Sequence, residues 1–100
     1  MMESQKALIC PEISVNHDDR DEGLVIEAAL PGVAKENVSL TFGDAHFCLS
    51  GERDDARFDG CYQLAHEVDN HKANAKLENG LLRIHVPFKE PLRGIRIEVA

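Results

Sequence analysis

Tryptophan is absent from this sequence, tyrosine occurs once and phenylalanine four times. A core must therefore be built from Val, Ile, Leu and Ala with few rings. Long apolar runs are also missing, Val25-Ile26 and Ala28-Ala29-Leu30 being examples of those present. None approaches the ~20 residues that carry a helix across a bilayer, so no membrane partner is expected. Residues 1–6 are polar and hold no apolar h-region, which predicts no signal peptide. No Lys/Arg cluster offsets a net charge of −7, and an acidic surface repels phosphate backbones, so nucleic acid is not an expected partner.

Chemistry-bearing patterns are equally scarce. Ser14, Ser39 and Ser50 stand outside any G-x-S-x-G elbow, and no G-x-x-x-x-G-K-[ST] loop is present to cradle a nucleotide. His17, His46, His66, His71 and His85 have no metal-ligand spacing and are expected on surfaces and loops. The acidic runs 18–22 and 52–55 lack the D-x-[DN]-x-[DN]-G order of a calcium loop and are expected to be solvated. No catalytic residue, metal or cofactor is expected, and an enzyme finds no support. Cys10, Cys48 and Cys61 are an odd number. Without secretion, reduced thiols in a cytoplasm are the default expectation, small buried cysteines the plainer reading and a regulatory thiol the alternative.

What is present is period two. One hundred residues, 43% hydrophobic and 29% charged, suit one globular domain. Ile13/Val15, Leu24/Ile26/Ala28, Val38/Leu40/Phe42, Phe47/Leu49, Tyr62/Leu64, Ala73/Ala75/Leu77 and Leu82/Ile84/Val86 each alternate with intervening residues, as strands with one buried face do. Turn chemistry separates them: a charged loop closing on Gly23, Pro31-Gly32, Gly43-Asp44, and Asn79-Gly80 as the strongest hairpin signal. The pattern predicts an all-β, antiparallel, immunoglobulin-like sandwich of about seven strands. Beyond Val86, Pro87 and Pro91 interrupt pairing, and alternation returns in Ile95-Arg96-Ile97-Glu98-Val99. Nine residues of tether reach roughly 30 Å when extended, far enough for docking on the same sheet or on a neighbouring molecule. An ordinary edge strand is the alternative for Ile95 and Ile97.

Four motifs, in order, give a family likeness. Leu30-Pro31-Gly32-Val33 followed by Lys35-Glu36-Asn37-Val38, then Leu49-Ser50-Gly51-Glu52-Arg53, then Ala75 with Asn79-Gly80-Leu81-Leu82, and finally Ile95-Arg96-Ile97 together resemble the α-crystallin domain of small heat-shock proteins (Hsp20 type) and its C-terminal extension. The resemblance implies three segments: a short arm at 1–10, the α-crystallin domain at 11–87, and an extension at 88–100 carrying the I-x-I motif. It also implies that Ile95 and Ile97 insert into a groove between Val38, Leu40 and Phe42 on one strand and Ala73, Ala75 and Leu77 on another. Burying two isoleucines offers ~3–6 kcal/mol gross, less the cost of ordering the tether, so such a plug would open readily. Gly80 supplies a positive φ for its turn, while Leu82 and the small Ala75 are expected to face the core.

The implied function is an ATP-independent chaperone, cytoplasmic, that binds unfolding clients and keeps them soluble. A CS-type (p23-like) co-chaperone or adaptor docking one specific partner is the alternative. Departures from the family bear on assembly. Only residues 54–60 separate Arg53 from the next strand, which leaves a loop too short to lend a strand to a partner. Gly60 or Cys61 stands where an arginine is usual, and Leu64-Ala65 replaces Leu-Pro. A monomer, an unusual dimer or a small oligomer is therefore expected, with co-assembly with longer paralogues as a further option.

Overall fold

Alternating side chains decide the architecture, because each strand has one face that must leave water. The computed structural model describes residues 6–90 and 97–100. Among these, eight strands are present: β1 (Ala7–Ile9), β2 (Ile13–His17), β3 (Gly23–Ala29), β4 (Val38–Phe42), β5 (His46–Arg53), β6 (Ala56–Gln63), β7 (Asn74–Glu78) and β8 (Leu81–Pro87). They form two four-stranded sheets, ordered β1-β6-β5-β4 and β2-β3-β8-β7. The β-sandwich expected from the sequence is thus the fold, with β1 as an additional strand. That strand pairs parallel to β6; the other ladders are antiparallel.

The core lies between the sheets. Leu24, Ile26 and Ala28 of β3 and Leu82, Ile84 and Val86 of β8 face Phe47 and Leu49 of β5 and Ala56 and Phe58 of β6, all buried. Each fully buried large aliphatic or aromatic side chain contributes ~1.5–3 kcal/mol by leaving water. Phe47 anchors a short ring stack, 5.1 Å from Tyr62 and 5.5 Å from Phe42 between centroids. The two long crossovers between sheets each add a plug: Leu30 and Val33 from one, Val68 from the other. Phe88 is buried too and bridges to Val68, so the packed region runs one residue past Pro87.

Motifs far apart in sequence meet at one corner. The Leu30 N–H donates to the Gly80 carbonyl at 2.7 Å, and Asn79 and Gly80 turn the β7–β8 hairpin with φ of 52° and 79°. Arg53 donates from Nη1 to the Pro31 carbonyl at 2.7 Å and from Nε to Asp55 at 2.7 Å. Gly51 leaves room for Val33, whose Cγ1 would lie 3.2 Å from a Cβ there.

Three expectations are corrected. Residues 54–60 are not a loop: Asp54 and Asp55 alone make the turn, with Arg53 opposite Ala56, and β6 begins at once. The charges of Arg57 and Asp59 sit on the outer face of that strand, which hid its alternation. Ala75 does not face the core but is exposed, because β7 is the edge strand of its sheet. Nor are all three thiols reduced: Cys48 and Cys61 lie directly opposite in the β5–β6 ladder and are joined by a disulfide, leaving Cys10 free and exposed.

The two sides of the sandwich differ. On one, β1 and β2 are edges of opposite sheets joined only by residues 10–12, a span of about 10 Å that matches the spacing of packed sheets. The chain itself therefore straps that side. On the other side lie the edges β4 and β7, with no comparable strap among the described residues.

Gly80→Ala should lower unfolding free energy by about 1–2 kcal/mol, since φ of 79° disfavours a side chain and the new Cβ would stand 3.2 Å from Pro31 Cα. Urea denaturation with an unchanged m-value checks this. At the β2–β3 turn, Asp18 accepts from the N–H groups of Arg20 and Glu22 at 3.1 and 2.9 Å and pairs with His85 at 3.0 Å. The His85 hydrogen bond first, then that from Glu22, hold its carboxyl below the ordinary 3.8. A depressed folded-state value gives stability that is full above 3.8 and is lost as pH falls through the folded value. Asp18→Asn should therefore destabilise at neutral pH, and its deficit should shrink in melts taken below pH 3.8.

Candidate functional site

The unstrapped side carries a furrow of about 510 Å³, lined by Val38 and Leu40 of β4, Ala75, Lys76 and Leu77 of β7, Leu82 of β8, and Lys35. Alternation places the apolar residues there. Val38, Leu40 and Leu77 are half-buried and Ala75 is exposed, while Ser39 and Thr41 on β4 face solvent on its other side. Leu82 forms the floor, 4% exposed and paired in register with Leu77. Lys35, on the short 3-10 turn Lys35–Asn37 leading into β4, and Lys76 stand at the rim. Lys76 pairs at 3.6 Å with Glu78.

Four of the six groove residues named from the sequence thus lie along one furrow: Val38, Leu40, Ala75 and Leu77. Phe42 and Ala73 are not in its lining. Phe42 leans on Phe47 with centroids 5.5 Å apart, and Ala73 packs against the core cluster. Of the tail pair, Ile95 lies outside the described residues, whereas Ile97 is 80% and Val99 93% exposed. Sequence reasoning had taken Leu82 only as core and missed Lys35 and Lys76. The Leu77–Leu82 register fixed by the Asn79-Gly80 turn was the available signal for the first. The lysines carried none, since a rim residue follows from which strand is an edge.

The furrow suits an extended apolar segment. Its banks are two edge strands, each bonded among the described residues to one neighbour, β4 to β5 and β7 to β8. Their outer backbone groups can accept an added strand, whose alternate side chains would drop onto Val38, Leu40 and Leu77. Apolar contact and backbone pairing are what it offers. Among the described residues no group of three or more His, Cys, Asp or Glu is placed to hold a metal. Three of the five histidines serve local structure: His17 pairs with Asp21 at 2.8 Å and His85 with Asp18 at 3.0 Å, while His17 and His66 set their rings edge-on to Phe88. No described helix is long and apolar enough to cross a membrane.

Comparison with known proteins places this geometry. The small heat shock protein C2 of Rickettsia felis is 25% identical over 97 residues, covering 81% of this chain. This chain spans 63% of the length of that relative. Among solved structures, heat shock protein 16.0 of Schizosaccharomyces pombe superposes with a TM-score of 0.74 at 21% identity, over 92% of this chain and 98% of that one. A small heat-shock protein of Xylella fastidiosa gives 0.69 at 18% identity, over 92% and 97%. These superpositions speak for a shared fold. The model of the Hsp20/alpha crystallin family matches residues 16–100. Because that stretch holds β3 to β8, and with them both banks of the furrow, the chain belongs to the Hsp20/alpha crystallin family.

Proposed function

We propose that this chain is an ATP-independent holdase, which takes up extended apolar segments of unfolding proteins along the β4–β7 furrow and keeps them in solution. The observation that carries this reading is the furrow itself: an apolar trough between two edge strands, on the side of the sandwich that no described residue straps. A net charge of −7 supports it, since a complex that keeps like charge outward resists coalescence. Membership of the Hsp20 family favours the holdase over a CS-type adaptor.

The same trough would take the chain's own tail. Ile97 and Val99 present open apolar surface, and Ile95 with Ile97 forms the two-residue plug implied by the family likeness. Docked in a second copy, the plug would link subunits; docked at home, it would shield the furrow until a client competes. Assembly through the other side meets obstacles. The Asp54-Asp55 turn has no strand to lend, and β1 covers the β6 edge at Ala56, Arg57 and Phe58. Small assemblies follow, cytoplasmic in setting and open to longer family members through the same furrow.

Light scattering from a heat-labile client, without nucleotide, should fall at substoichiometric to equimolar chain; undiminished scattering counts against the holdase. Leu77→Asp places a charge in the half-buried trough and should raise the amount needed for half-suppression by about tenfold, from the loss of ~1.5–3 kcal/mol of apolar contact, with the circular dichroism spectrum unchanged. Ile95→Gly/Ile97→Gly should lower the mass found by size-exclusion chromatography with light scattering. An unchanged mass removes the tail from assembly.

A further inference from the structure

The Cys48–Cys61 bond has a position unlike that of a structural staple. Both residues lie on the outer face of the β1-β6-β5-β4 sheet, in one row with Thr41 of β4. Cys48 is half-buried and Cys61 exposed, and neither belongs to the core cluster. The residues that hold β5 to β6 from within, Phe47, Leu49, Phe58 and Tyr62, lie on the opposite face, and the ladder runs in register from His46–Gln63 to Arg53–Ala56. The core and the strand register thus rest on contacts other than the sulfur–sulfur bond. Access is also one-sided. β1 pairs with β6 at Ala56, Arg57 and Phe58, so among the described residues no paired strand covers the outer edge beside Cys61. An attacking thiolate must approach Cys61 Sγ from the side opposite Cys48, which is that edge.

We propose that Cys48 and Cys61 form a reversible dithiol–disulfide site that exchanges with small thiols of the glutathione class while the domain stays folded. In the reducing direction a thiolate attacks Cys61 Sγ, a mixed disulfide forms there, and Cys48 leaves as a thiolate that takes up a proton. A second small thiolate then attacks the small-thiol sulfur of the mixed disulfide. The small disulfide departs and Cys61 is released as a thiol. Two small thiols are oxidised and one protein disulfide is reduced, a two-electron exchange; the same steps run backwards in an oxidising pool. An exposed bond is the kind that such a pool can turn over, in contrast to a buried one. The oxidised form is the more stable to unfolding, because the bond removes open conformations from the unfolded chain.

The test uses Cys10→Ser protein, so that only the pair can react. It is equilibrated at graded ratios of reduced to oxidised glutathione, quenched with acid, alkylated with iodoacetamide and weighed intact. Two alkyl groups should appear together as the buffer turns reducing and vanish together as it turns oxidising, with circular dichroism constant throughout and a melting temperature several degrees higher in the oxidised form. A pair alkylated in every buffer, or one that stays closed until denaturant is added, overturns the proposal. Wild-type protein should show the same two-group step, with Cys10 carrying an alkyl group in reducing buffers and a glutathione in oxidising ones. A step present in wild type but lost in Cys10→Ser would also overturn it, since exchange would then run through Cys10 rather than an external thiol.

Discussion

The structure depends on how its two sheets are closed along their edges. A sandwich of two open sheets has four edge strands, each with unpaired backbone groups and a flank of core exposed. Here residues 10–12 carry the chain directly from β1 to β2, strapping one side with a link about as long as the sheets are apart. The opposite side has β4 and β7 for its banks, and none of the described residues covers it. Everything proposed about binding follows from this asymmetry. The apolar residues of β4 and β7 are those a larger sandwich would bury under another strand.

The corner where the sequence motifs meet holds the furrow in shape. Leu30 bonds to Gly80 and Arg53 to Pro31, so the crossover leading into β4 is tied both to the β7–β8 turn and to the end of β5. The two banks belong to different sheets and share no ladder. Their spacing is therefore set by these ties and by Leu82 beneath, rather than by strand pairing. This explains why small residues recur there: Gly32 with its φ of 79° lies under the Arg53 side chain, and Gly51 admits Val33.

Much of this was legible in the sequence wherever alternation was strict. Leu24/Ile26/Ala28, Phe47/Leu49 and Leu82/Ile84/Val86 alternate cleanly and are buried, and Asn79-Gly80 announced its hairpin. The misses have physical causes. In β6, Asp54, Asp55, Arg57 and Asp59 gave the segment the charge density of a loop, although the charges from Arg57 onward lie on one face. Ala75 was read as core because period two tells which residues share a face, not whether another strand covers that face. The β1 segment is three residues long, too short for a period to show. The disulfide was within reach. Cys48 stands six residues before Asp54 and Cys61 six after Asp55, so a two-residue turn at that point puts them opposite each other; reading a longer loop there concealed the pairing.

The central claim is that the β4–β7 furrow receives extended apolar chain. Hydrogen–deuterium exchange, read by mass spectrometry on the protein alone and with a heat-unfolded client bound, addresses it most directly. The account predicts slowed exchange concentrated in Val38–Phe42 and Asn74–Glu78, where an added strand would engage the free edges. Slowing confined to Ile13–His17 on the strapped side, or none in either bank while client is held, would contradict it.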